Sequence, residues 1–255
     1  MPVSRTPSRR RKSPVARLAA FWILFLAVLI GAVVGLYYAA RWPGFRPTHI
    51  RVVGNSVVST REILQRASID RGRNIWLQNT GAMAQRIDAI PYILRTQIHR
   101  GLPATVTIAV TERRPFAIVE SGDNEVLVDR LLRILQPADG TMDFPVFVLD
   151  PGASLVPGKT LAGSSTVLRD VEIKLLADGA SPAQLQDSDG EVIAIMPNGV
   201  RVLLGDESNV AAAVPLVAPI LSKLAKLGRH IETLDLRAPG TPVITASRSG
   251  RVRGP

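Results

Sequence analysis

Three short stretches and three histidines of this 255-residue chain carry residue types that could do chemistry. Pro157-Gly158-Lys159-Thr160 has the ending of a phosphate-binding loop, in which backbone N–H groups of a glycine-rich turn and a lysine cradle phosphate. That motif needs a glycine five residues before Gly158, where this chain has Ala153, and Pro157 removes one of the cradling N–H groups. A surface turn explains it. Asp187-Ser-Asp-Gly-Glu191 sets acidic oxygens at alternate positions, as calcium loops do. It lacks the further ligands and the bidentate glutamate beyond the glycine, and reads as a polar turn entering a strand. His49, His99 and His230 are scattered, without His-x-x-x-His spacing for a zinc hydrolase. Gly163-Ser164-Ser165 is no Gly-x-Ser-x-Gly elbow and reads as a helix cap. With no cysteine in the chain, thiol nucleophiles, thiolate zinc sites and iron–sulfur clusters are excluded. The sequence predicts no catalytic residue, no cofactor and no metal ligand, and a protein without chemistry of its own must act through surfaces.

What positions those surfaces begins with residues 18–40, an uncharged and almost wholly apolar run of 23 residues. As a helix it is about 35 Å long, enough to cross a hydrocarbon core of about 30 Å. A cleavable signal peptide has a shorter apolar core, and Tyr38 would fall at the −3 position of a cut after Ala40, so a retained anchor is expected. A buried soluble helix would show a polar face. Arg5, Arg9, Arg10, Arg11, Lys12 and Arg17 precede the run with no acid among them, while Arg41, Arg46 and Arg51 make a weaker flank beyond it. The positive-inside bias puts residues 1–17 in the cytoplasm and the body outside.

The formal charge of +10 is concentrated at the ends. Residues 41–246 hold 22 basic and 21 acidic side chains, so the body has no excess to draw it onto a polyanion. Neither nucleic acid nor a small-molecule substrate is expected as a partner.

The body opens with a strand at 50–53 and a Gly54-Asn55 turn. Ser59-Thr-Arg-Glu62 is a capping box starting a helix, and Asn79-Thr80 starts a second with Met83, Ile87 and Ile90 on one face. Pro91 stops it. A hairpin follows, 93–99 and 104–112, with Val106, Ile108 and Val110 alternating inward. This order requires two helices on one face of a three-stranded sheet. Beyond it, strands are expected at 116–120, 125–128, 133–135, 146–149, 191–196, 200–204, 231–236 and 243–246. Two helices interrupt them: 164–176, capped by Ser164 or Ser165, and 208–227, kinked or broken at its start by Pro215 and Pro219. Pro197-Asn-Gly199 marks a hairpin. Residues 247–255 form a basic tail without apolar pattern, expected to be disordered.

The stretches Ile50-Arg-Val-Val-Gly-Asn, Val58-Ser-Thr-Arg-Glu-Ile63, Ile90-Pro-Tyr-Ile93, Leu102-Pro-Ala-Thr-Val106 and Val110-Thr-Glu-Arg-Arg-Pro-Phe-Ala-Ile-Val119, followed by Leu127-Val-Asp129, together resemble the POTRA domain of the FtsQ/DivIB cell-division family. The chain departs from that pattern in having Leu102 before Pro103 and Arg130-Leu131-Leu132 after Asp129. The resemblance implies an α+β fold: a cytoplasmic tail at 1–17, a transmembrane helix at 18–40, a POTRA domain of β-α-α-β-β order at 48–119, and a β-rich domain with two helices at 120–246, before the tail at 247–255. It also implies a bitopic, non-enzymatic scaffold of the divisome in the inner membrane at the septum. Its partners would be the single-pass FtsB/FtsL-like proteins and, through them, FtsW/FtsI-like peptidoglycan synthases. Thr233-Leu-Asp-Leu-Arg237 resembles the family's Val-Asp-Leu-Arg signature, so by position Leu234, Asp235, Leu236, Arg237, Val243 and Ile244 are the candidate partner-binding residues. Strand alternation places Leu234 and Leu236 on one side, which makes them core candidates as well. Pro239 and Pro242 require any added strand to pair beyond them or on the opposite edge. The alternatives are a POTRA-bearing protein of outer-membrane assembly or secretion and, more remotely, a membrane-tethered hydrolase.

Overall fold

The structure is a computed structural model that describes residues 14–139 and 142–246. Most of the basic leading tail and all of residues 247–255 lie outside the described residues.

Helix α1 (Pro14–Arg41) is one uninterrupted 28-residue element, and its apolar side chains are exposed all round, from Leu18 to Tyr38. Its length and composition suffice to cross a membrane. A three-residue 3-10 turn (Pro43–Phe45) joins it to the body.

The first unit is a three-stranded sheet. Its strands β1 (His49–Val53), β2 (Ile93–Gly101) and β3 (Thr105–Glu112) lie in the order β1-β3-β2, with β1 parallel and β2 antiparallel to β3. Helices α2 (Thr60–Ala67) and α3 (Thr80–Asp88) cover it. Both start on the expected caps: Ser59 Oγ accepts from the Glu62 amide at 3.2 Å and Asn79 Oδ1 from the Ala82 amide at 3.0 Å. Ile63, Ala67 and Ile87 then pack on Val106, Ile108 and Val110, all buried. At Gly54 the chain turns with φ +86°, and a Cβ there would collide with the Val110 carbonyl. The loop after that turn wraps the end of β3. The Glu112 carboxylate accepts from the Ser56, Val57 and Val58 amides at 3.0, 3.0 and 2.8 Å and from the Ser56 hydroxyl at 2.7 Å. Burial pushes the Glu112 carboxyl up, but these bonds outweigh it and hold the group below its ordinary value.

The second unit is one sheet of nine strands. In chain order they are β4 (Pro115–Ser121), β5 (Asn124–Asp129), β6 (Ile134–Pro137), β7 (Val146–Leu149), β8 (Gln184–Ser188), β9 (Glu191–Ile195), β10 (Arg201–Gly205), β11 (Ile231–Asp235) and β12 (Val243–Ala246). In space they run β12-β11-β10-β9-β8-β7-β4-β5-β6. Strand β4, most of which falls in the 48–119 span of the sequence reading, is hydrogen-bonded here to β5 and β7. Helices α4 (Ser164–Ala177) and α5 (Glu207–Lys226) supply Leu168, Val171, Leu175, Val210, Val214 and Val217 to the core on one face. From the other face Ile118, Leu127 and Leu135 join the core of the first unit. Arg113 reinforces that junction, donating to Asp129 at 2.6 Å and to the Ile93 carbonyl at 3.2 Å. Asp129 also accepts the Leu131 and Arg133 amides, both at 2.9 Å.

Three local expectations differ from the structure. Helix α4 is not capped by a serine side chain. Gly163 (φ +71°) holds the cap position, and the Ser165 hydroxyl donates back to the Ala162 carbonyl. Helix α5 begins under an Asp206 cap, which accepts from the Ser208 and Asn209 amides, and continues unbroken through Pro215 and Pro219. Both prolines lie on its outer face four residues apart, where water can take the carbonyls they leave unbonded. Although α5 is also long and apolar enough to span a membrane, Val210, Ala213, Val214, Val217 and Leu224 are buried against the body. Strand β8 was not expected, because Gln-Leu-Gln-Asp-Ser has one apolar residue and therefore no visible alternation.

Candidate interface at a sheet edge

Strand β12 ends the nine-strand order, so one of its flanks pairs with β11 and the other pairs with nothing among the described residues. All four of its residues are exposed. Pairing aligns Ile244 with Leu234 and Val243 with Asp235. The register continues inward strand by strand, from Leu234 to Val202, Ala194, Leu185, Phe147, Val119, Val126 and finally Pro137 on β6. An apolar row thus crosses all nine strands. From Leu234 to Val126 no member is more than 3% exposed, whereas Ile244, which continues the row onto β12, is 43% exposed. The row ends in the open at the same strand whose outer flank has no neighbour among the described residues.

The six candidate residues divide accordingly. Leu234 and Leu236 are fully buried in the core and offer no side-chain surface. Val243 and Ile244 stand on the open edge. Asp235 and Arg237 pair with each other: the Arg237 guanidinium donates to Asp235 at 2.7 and 3.1 Å, and the Arg237 amide donates to it at 3.0 Å. Hydrogen bonding from Arg237 holds the Asp235 carboxyl below its ordinary value against the opposing effect of burial. Glu191 on β9 lies 3.7 Å from Arg237 on the other side. These three, with Thr241 and Val243, line a shallow groove beside the edge. Pro239 and Pro242 both fall in the loop between β11 and β12, so the ladder resumes just after them.

The stretches with chemical residue types do not converge. The Gly158 amide donates to the Ile134 carbonyl at 2.8 Å and the Lys159 amide to Val156 at 3.1 Å, so the N–H groups a phosphate would need are taken. Asp187 to Glu191 is the turn of the β8–β9 hairpin, with Asp187 accepting the Gly190 amide. The three histidines lie apart on β1, on β2 and in the loop before β11, and among the described residues no group of three or more histidine, cysteine or acidic side chains could hold a metal.

Sequence reasoning missed one feature of this site and one elsewhere in the second unit. The sequence reading places Glu191 between a turn and a strand but not beside Arg237, because that approach joins β9 to the loop after β11. Glu172 on α4 is 1% exposed and one of its oxygens has no partner; burial pushes its carboxyl up to about 7. Its place beside Val171 and Leu175 in a helix gave no sign that the helix is covered on that side.

With this geometry in hand, known proteins give a consistent comparison. Residues 45–113 match the model of the POTRA domain, FtsQ-type. The cell division protein FtsQ of Anaeromyxobacter sp. (strain K) is 33% identical over 150 residues, 56% of this chain and 50% of that protein. The cell division protein DivIB of Clostridium acetobutylicum is 29% identical over 46% of this chain and 47% of its own length. In these two cases the match spans about half of the relative. The cell division protein FtsQ of Streptomyces venezuelae aligns at 25% identity over 96% of this chain and 90% of that protein. Domain match, element order and relatives thus converge on one family likeness, that of the FtsQ/DivIB cell-division proteins.

Proposed function

We propose that this protein is a bitopic scaffold of the bacterial division machinery, without chemistry of its own. In this reading α1 crosses the cytoplasmic membrane with the basic tail inside, and the body captures membrane-proximal segments of small single-pass partners of the FtsB/FtsL kind. The observation that carries the reading is the apolar row that reaches β12, whose outer flank is unpaired among the described residues, and stops at half-exposed Ile244. A partner segment adding a strand there would satisfy the free backbone groups and cover Ile244, while Val243 and the Asp235–Arg237 pair would meet its other face. Capture at this edge would connect early division proteins to FtsW/FtsI-like synthases at the septum. The alternative of an outer-membrane assembly component is disfavoured by the second unit, an open sheet backed by α4 and α5 rather than a closed barrel.

Deleting Val243–Ala246 tests the reading. The truncated protein should keep its fold and lose co-purification with an FtsB/FtsL-like pair. Undiminished co-purification would remove the edge from the mechanism. A fluorescent fusion should gather at mid-cell, and uniform envelope fluorescence would argue against a septal role.

A further inference from the structure

The first unit turns a second unpartnered face toward α1. Trp76 and Leu77, in the 3-10 turn Ile75–Leu77, and Leu102, in the turn between β2 and β3, line an apolar hollow with Leu36, Ala40 and Phe45. Leu77 is 59% and Leu102 74% exposed. Three contacts hold this face in place. Asn74 Nδ2 donates to the Ala40 carbonyl at 3.0 Å, tying the turn to the last residues of α1. Asn74 Oδ1 accepts the Trp76 amide at 2.9 Å. Arg100 donates to the Trp76 carbonyl at 3.2 Å and lies over the Trp76 ring at 5.1 Å.

The level of this face along α1 identifies what covers it. Leu36 precedes the end of α1 at Arg41 by five residues, about 7.5 Å along the axis. Side chains that meet Leu36 therefore reach back beside the apolar run itself. Bordering them, Arg41, Arg46 and Arg73 line a neighbouring cleft with Trp42 and Leu77, and no acidic side chain lines it. The nearest acid in the same loop, Asp70, accepts the Gly72 amide. Aromatic and aliphatic side chains at the depth of a helix end, rimmed by arginines, match the boundary between acyl chains and phosphate headgroups.

We propose that Trp76, Leu77 and Leu102, with Arg41, Arg46 and Arg73 at their border, form a lipid-docking surface that seats the first unit on the leaflet from which α1 emerges. The inference rests on the reading of α1 as a membrane span. Its occupant is the bilayer surface itself, because the face is continuous with the helix that enters that bilayer and carries the charge that complements lipid phosphate.

The chain has no cysteine, so single labels can be placed without background. Full-length L29C, L77C, L102C and L131C variants, each carrying a nitroxide, are reconstituted alone into phosphatidylethanolamine/phosphatidylglycerol nanodiscs. Collision with oxygen and with a water-soluble nickel chelate is then measured by electron paramagnetic resonance. Leu29 reports the span. Leu131, beside the Arg113–Asp129 contact at the end of β3 remote from Leu102, reports open water. The expected result is that residues 77 and 102 collide with nickel several-fold less than residue 131 and favour oxygen, as residue 29 does. Nickel collisions at 77 and 102 equal to those at 131, with 29 protected, overturn the docking surface and leave the span intact. A nickel-accessible residue 29 overturns the span itself. Protection at 77 and 102 that appears only after a partner protein is added also overturns the proposal, assigning the face to protein. Because these labels sit at exposed positions the fold should persist. Should a labelled variant misfold, quenching of Trp76 by brominated lipid in a W22F/W42F variant gives the same decision: no quenching there overturns docking.

Discussion

The two ends of the nine-stranded sheet are built from strands of equal length and treated in opposite ways. Both β6 and β12 have four residues. Strand β6 is sealed. Its Ile134 exchanges hydrogen bonds at 2.8 Å with Gly158 and Lys159, Arg133 bridges to Thr160, and Pro137 closes the apolar row with a residue that has no N–H to offer. Among the described residues strand β12 has none of these devices; its row ends in Ile244, and both nearby prolines stop short of the ladder. An unprotected edge invites aggregation, and proteins blunt such edges when they are not used. This chain blunts one and leaves the other open, which makes the openness of β12 a feature of that end and not of the sheet as a whole.

The contrast can be broken most severely at the sealed end. Replacing Asp129 by Ala would strand the half-buried Arg113 guanidinium and two amides of the β5–β6 loop. It should cost about 3–5 kcal/mol in urea unfolding. A loss below 1 kcal/mol would mean that the seal rests on the 156–161 segment alone.

A second test probes the backing of the sheet without touching either edge. Glu172 titrates near 7 in the folded chain against 4.5 in the open chain. The Glu172 contribution to folding stability should therefore be fullest below pH 4.5, fall as pH rises through about 7, and level off above that, whereas Glu112 and Asp235, held below their ordinary values, contribute in the opposite sense at acid pH. Glu172→Gln should remove this slope and gain up to about 3 kcal/mol at pH 8, with partner capture unchanged. A wild-type protein equally stable at pH 5 and pH 8 would contradict the buried charge.

At the open end, single prolines at Ile244 and Thr245 separate the two flanks of β12. Alternate residues of an antiparallel strand send their N–H groups to opposite neighbours. One proline should remove a bond to β11 and cost about 1 kcal/mol. The other should leave stability unchanged and abolish partner capture. If both variants bind normally, the edge is not the docking line. The smallest effect on the fold is expected from Ile244→Lys, under about 0.5 kcal/mol at an exposed edge position. It would charge the end of the apolar row and should weaken partner binding at least tenfold. Retained affinity would reduce the row to a packing feature.

Much of this architecture was legible in local signals. The first unit could be read because its cues are short-range: Ser59 and Asn79 caps, the Gly54 turn, and alternation of Val106, Ile108 and Val110. Helix α4 misled because its cap comes from the backbone of Gly163 and not from the serines beside it. The candidate edge could be reached only through a family resemblance, which named six residues, and strand alternation marked Leu234 and Leu236 among them as core candidates. Burial agrees: Leu234 and Leu236 turn inward, whereas Val243 and Ile244 remain outside. The apolar row itself was invisible, since its nine members come from nine strands and meet only through register.

The Asn74–Ala40 hydrogen bond also has a geometric consequence. A body hung on a loose linker would sweep a range of altitudes, but here the turn is fastened to the end of α1 and the eight residues of β3 rise from it toward the second unit, about 26 Å in length. The fastening makes the chain a gauge of height. In the proposed reading, a partner that adds a strand at β12 would have to leave the bilayer with enough chain to climb to that level, and segments too short to make the climb would be rejected before any side chain is compared.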